Sequence, residues 1–131
     1  MRSLSIALGF AILMSAFVAK ADHTLPAGSL AHLRRDTYDL DREVQYSTLN
    51  YQVRRTVSVF AYDVSRFLSC VGARAVSRDH DVIPAQCEYA LDRVHSSWYP
   101  VERYLYDTDY DYPQVYYRYL AVRRDIRALP H

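Results

Sequence analysis

In the stretch Tyr106-Asp107-Thr108-Asp109-Tyr110-Asp111-Tyr112, aspartate stands at every second position. A calcium loop of the EF-hand type begins this way, because carboxylates at its positions 1, 3 and 5 wrap one side of the ion. The correspondence then fails twice. Position 6, which needs Gly for a sharp turn, is Tyr112, and position 12, which needs a bidentate Glu, is Arg118. Asp107, Asp109 and Asp111 are thus a weak metal candidate. The alternative makes Asp111 the cap of a helix with Pro113 in its first turn, the other aspartates favouring the positive helix end. That reading predicts a capped turn, and neither a metal nor any other cofactor is assigned to the chain.

Tyrosine is the more informative residue. The chain has 13, and Tyr104, Tyr106, Tyr110, Tyr112, Tyr116, Tyr117 and Tyr119 crowd one stretch. Tyr116 and Tyr117 cannot both face a core, since neighbours on a helix diverge by about 100°. Part of this aromatic surface is therefore expected to meet water. Tyrosine combines flat apolar area with a polar tip and little side-chain entropy, which suits recognition surfaces. Arg103 and Arg118 lie close enough in sequence to stack on it. The candidate binding surface is Tyr104, Tyr106, Tyr110, Tyr112, Tyr116 and Tyr117 with Arg103 and Arg118. The competing reading is a tyrosine-rich core edge with Arg–Tyr stacking inside the molecule.

No catalytic constellation accompanies these residues. His32, His80 and His95 stand on different segments, with no pair spaced to share a helix face. Gly28 and Gly72 are the only glycines after the N-terminal stretch, too few for a phosphate-cradling loop. Ser96 and Ser97 fall inside a helical pattern rather than on a strained elbow. An enzyme is not expected.

The elements that must position these groups follow from apolar spacing. Four seams alternate between intervals of three and four: Leu30, Leu33, Thr37, Leu40, Val44; Val53, Val57, Phe60, Val64, Phe67, Val71; Cys87, Leu91, Val94, Trp98, Val101, Leu105; and Val115, Tyr119, Val122, Ile126, Leu129. Each reads as a helix packed lengthwise on its neighbours. No period-two stretch competes, so the chain reads as all-α, with helices over roughly 29–47, 50–72, 84–106 and 112–128. Gly72 marks a helix end, and Arg78-Asp79-His80-Asp81 reads as a polar linker before Pro84. Pro100 falls inside the third seam and is expected to kink its helix. Between the first two seams neither Gly nor Pro marks a turn. Residues 47–50 either turn, giving a small antiparallel four-helix bundle, or continue one long helix in a three-helix arrangement. The phase jump from Val44 to Val53 fits either a turn or a long helix that shifts its buried face. A short repeat, Thr37-Tyr38-Asp39-Leu40-Asp41-Arg42 against Ala61-Tyr62-Asp63-Val64-Ser65-Arg66, favours the turn.

The N-terminal residues bear on the compartment. Arg2 precedes an apolar run from Leu4 to Val18, and Ala19-Lys20-Ala21 offers small residues for cleavage. Residues 1–21 read as a secretory signal peptide, with a retained anchor as the alternative. Cleavage would leave one domain, 22–131, and no stable membrane insertion. Removing Arg2 and Lys20 takes the 16 basic residues to 14 against 15 acids, a net charge of −1. That balance lacks the electrostatic footprint of a nucleic-acid binder. In an exported chain the lone pair Cys70 and Cys87 is expected to be a disulfide. These readings converge on a periplasmic or secreted, non-catalytic bundle, chaperone-like or structural, that binds a protein or an envelope component. A small-ligand or metal-binding bundle is the runner-up.

Overall fold

All four seams become buried helix faces in the computed structural model, which describes residues 22–72 and 79–131. Strand β1 (His23–Pro26) leads into α1 (Ser29–Gln45), and a tight turn leads to α2 (Tyr51–Val71). Strand β2 (His80–Ile83) and a 3-10 turn (Ala85–Cys87) lead into α3 (Glu88–Leu105), and a second connector leads to α4 (Pro113–Ala128). The signal-peptide stretch 1–21 and Arg78 of the expected linker lie outside the described residues.

Every seam residue is buried, from Leu30 to Leu129, in one continuous core. Burying each large aliphatic or aromatic side chain contributes roughly 1.5–3 kcal/mol, so these rows are what hold the helices together. Partners run in opposite senses on each neighbouring pair. Asp36 and Asp39 of α1 meet Arg124 and Arg118 of α4, while Phe60 and Cys70 of α2 meet Trp98 and Cys87. The arrangement is the expected antiparallel four-helix bundle. An aromatic row crosses it: Phe60 on α2, Trp98 on α3, then Tyr119 and Tyr116 on α4, with ring centroids 5.1 to 5.8 Å apart.

Residues 47–50 turn rather than continue a long helix. The carbonyl of Val44 accepts from the Ser47 backbone N–H at 3.1 Å and from its hydroxyl at 2.6 Å. Asn50 then caps α2, its side-chain oxygen accepting the Val53 N–H at 3.0 Å. Thus Ser and Asn do here what Gly and Pro do in more obvious turns. Gly72 ends α2 at φ 68°, a backbone that L side chains rarely adopt. Helix α3 runs unbroken through Pro100. Its ring removes the N–H that would bond the Ser96 carbonyl one turn earlier.

The all-helical expectation missed one element. Strands β1 and β2 form a two-stranded antiparallel ladder, His23 opposite Ile83 and Pro26 opposite His80. Four residues are too few to show a period of two, and the partners lie on opposite sides of the first hairpin. The linker reading of Asp81 is overturned with it. This aspartate sits in β2, is 1% exposed, and accepts the Leu30 N–H at the start of α1. In the other direction, Asp22 accepts the Ala85 N–H where the 3-10 turn opens toward α3, at 2.9 Å. Asp81 therefore caps α1, while Asp22 ties the 3-10 turn ahead of α3 to the start of β1.

The disulfide Cys70–Cys87 closes the same end of the bundle, with Cα atoms 5.8 Å apart. It joins the last turn of α2 to the turn that opens α3, as the hairpin layout requires. Disulfides of this kind persist in oxidising compartments. No described helix is long and apolar enough to cross a membrane.

Candidate functional site

An antiparallel bundle places alternate connectors at one end. The turns 46–50 and 106–112 therefore share the end opposite the disulfide. A hydrogen bond joins them directly, Thr48 Oγ1 to the Tyr112 hydroxyl at 3.0 Å. Tyr46 and Tyr51, which flank the first turn, are thereby brought to the tyrosines that flank the second. Sequence reasoning missed both because they lie some sixty residues from the cluster. The signal was nonetheless available: once the seams imply four alternating helices, the first and third connectors must meet.

The named tyrosines divide into two kinds. Tyr106, Tyr110 and Tyr117 are exposed, Tyr110 at 92%, as are Tyr46 and Tyr51. Tyr104 is also exposed, though less so. Tyr112 and Tyr116 are half-buried and pack on the core, so they support the surface rather than form it. The arginines also separate. Arg118 stacks over Tyr117 at 5.7 Å and pairs with Asp39 at 3.3 Å, which steadies this corner. Arg42 lies over Tyr46 at 5.9 Å. Arg103, by contrast, reaches back along α3 and stacks on Tyr99 at 6.0 Å. Arg–Tyr stacking inside the molecule is therefore real, and it leaves broad ring area free.

The aspartates of the connector behave differently from the capped-turn expectation. Asp107, Asp109 and Asp111 are all exposed. The N-cap position of α4 is Tyr112, with no side-chain cap, so Asp111 does not cap this helix. Buried Thr108 organises the turn instead. Its hydroxyl donates to the Leu105 carbonyl at 2.7 Å, and its own carbonyl accepts the Tyr112 N–H at 2.8 Å. Pro113 does occupy the first turn of α4 as expected. Among the described residues no three His, Cys, Asp or Glu side chains converge to hold a metal ion.

A cleft of about 570 Å³ opens beside the tyrosine end, lined by Tyr99, Glu102, Arg103, Tyr106, Tyr119 and Arg123. Glu102 Oε1 accepts the Tyr119 hydroxyl at 3.4 Å and lies 3.7 Å from Arg123 Nε. Burial, and next the nearby Glu102 charge, push the Tyr119 hydroxyl above its ordinary value of 10.0, so it stays a donor. The cleft thus combines aromatic rings with charged side chains. His95 belongs to no such site: its Nε2 bonds the Pro130 carbonyl at 2.7 Å and its ring stacks on His131.

Comparison of the chain with protein-family models, curated proteins and solved structures finds no match. The site must therefore be read from its own geometry.

Proposed function

We propose that this chain is an exported, non-catalytic bundle that binds another protein or an envelope component through its tyrosine end. The observation that carries the reading is the convergence of Tyr46, Tyr51, Tyr106, Tyr110 and Tyr117, all exposed, from two connectors joined by the Thr48–Tyr112 hydrogen bond. A surface built on helix ends that are bonded to each other is preorganised, so little entropy is lost when a partner covers it. The apolar N-terminal run and the disulfide support the export part of the reading. The periplasm is the compartment that fits both.

The test is site-specific photo-crosslinking in the native envelope. A photoreactive residue replacing Tyr46, Tyr106, Tyr110 or Tyr117 is expected to give one shared adduct. The same residue at Tyr89, equally exposed near the disulfide end, is expected to give none. Equal labelling from both ends would overturn the assignment. A second reading, a small-ligand site, rests on the cleft of Tyr99, Glu102, Arg103, Tyr106, Tyr119 and Arg123. Native mass spectrometry of protein isolated from its envelope separates the two, since only a ligand site retains a bound small molecule that Arg123→Ala abolishes.

A further inference from the structure

The α1–α4 seam carries one pairing of like charges. Along α1 the outward stripe beside the core is His32, Asp36, Asp39 and Glu43; α4 presents Arg118, Arg124 and Asp125. Asp39 meets Arg118 at 3.3 Å, an ordinary ion pair. Asp36 and Asp125 flank one guanidinium, that of Arg124, and both side chains are largely buried, at 14% and 9% exposure.

Two carboxylates cannot hydrogen bond to each other, because neither has a donor. Each keeps a buried Oδ2 that no protein donor satisfies. One proton placed between them would satisfy both. Among the described residues the cation paired with both is Arg124, 3.6 Å from Asp36 and 3.7 Å from Asp125, beyond hydrogen-bond length in both cases. It is 72% exposed, so water screens most of its attraction. Of the neighbouring α3 groups, Glu102 is engaged by Arg123 and His95 by the Pro130 carbonyl. Burial, then the bond from Asp36, then its negative charge raise the Asp125 carboxyl from 3.8 to about 7, and Arg124 opposes them.

We infer that Asp36 and Asp125 form a proton-operated clasp between α1 and α4, closed while they share a proton and loosened when it leaves. The sign follows from linkage. The unfolded or opened chain holds Asp125 near its ordinary value, so the closed form binds more protons over the interval between the two values. The stability attached to that proton is complete below the ordinary value and is lost as pH rises through about 7. Below neutrality the clasp holds; on the alkaline side the C-terminal half of α4 is freer to part from α1.

Hydrogen exchange and carbon-detected NMR test this on the full disulfide-bonded protein. The Asp125 carboxyl carbon, which reports neither His32 nor His95, is expected to titrate near neutrality. After correction for intrinsic rates, α4 amides at 122–128 should open on the order of tens-fold more often at pH 8 than at pH 5. The α2 amides serve as the internal reference and should not follow. Asp125→Asn keeps a neutral donor toward Asp36 at every pH and should remove the α4 dependence; Asp36→Asn is the second variant should the first fold poorly. A carboxyl titration below pH 5, or an unchanged α4 dependence in both variants, would overturn the clasp.

Discussion

Asp81 Oδ2 accepts the backbone N–H of Leu30 at 2.8 Å although 51 positions separate them in the chain. Leu30 lies in the first turn of α1, whose cap residue, Gly28, has no side chain to offer. A carboxylate there meets both an unpaired donor and the positive end of the helix. The second hairpin thus completes the first, and the pairing of β1 with β2 is what brings the two together.

Replacing Asp81 with Ala should lower unfolding stability by about 1–3 kcal/mol, because it leaves a buried donor unpaired at a helix start. Urea denaturation measures this, with exposed Asp109→Ala as the control expected to stay within about 0.5 kcal/mol. Equal effects from the two changes would show that the capping bond contributes nothing.

The disulfide closes a loop with a sequence separation of 17. In the chain-entropy model a loop of that size is worth roughly 3 kcal/mol. Cys70→Ser or Cys87→Ser should lose about that much while the far-ultraviolet circular dichroism of the helices is retained. Thiol quantitation of protein from its native compartment should find no free thiol; finding two would remove the bond and the export argument with it.

Tyrosines of the two kinds should respond differently to truncation. Tyr110→Ala removes an exposed ring and should change stability by no more than about 0.5 kcal/mol while weakening crosslinking to the partner. Tyr112→Ala removes the bond to Thr48 and a ring packed on the core, so it should cost about 1–3 kcal/mol. Replacing Tyr106 should resemble Tyr110. If Tyr110→Ala unfolds the protein, the ring belongs to the architecture and the binding surface loses its best member.

Calcium titration should leave the melting temperature unchanged, since Asp107, Asp109 and Asp111 point into solvent around a turn organised by Thr108. A rise that saturates at micromolar calcium would revive the cation reading.

Raised by burial and Glu102, the Tyr119 hydroxyl should ionise above its ordinary value of 10.0, seen as the difference between the absorbance titrations of the native chain and Tyr119→Phe. Because the folded value lies above the unfolded one, stability contributed by this hydroxyl is present below the unfolded value and lost as pH rises through the folded one. Tyr119→Phe should remove that late step and cost about 0.5–1.5 kcal/mol through the lost bond to Glu102.

Most of the bundle was legible before folding because helical burial is a local property. A side chain three or four positions from another must share its face, so Val53, Val57, Phe60 and Val64 declare a buried stripe without reference to the rest of the chain. The same locality let the Cys70–Cys87 bond follow from helix ends. What failed involved partners chosen by packing. Four-residue strands carry no readable period, so the β1–β2 ladder and the buried role of Asp81 existed only once the hairpins docked. Asp111 looked like a cap by type and position, yet Thr108 took over the turn because its hydroxyl faced inward. Tyr46 and Tyr51 joined the surface only through the alternation of connectors. Likewise, Asp36 and Asp125 are two unremarkable acids in the chain. Only the antiparallel docking of α1 on α4 brings both carboxyls, largely buried, to the same guanidinium.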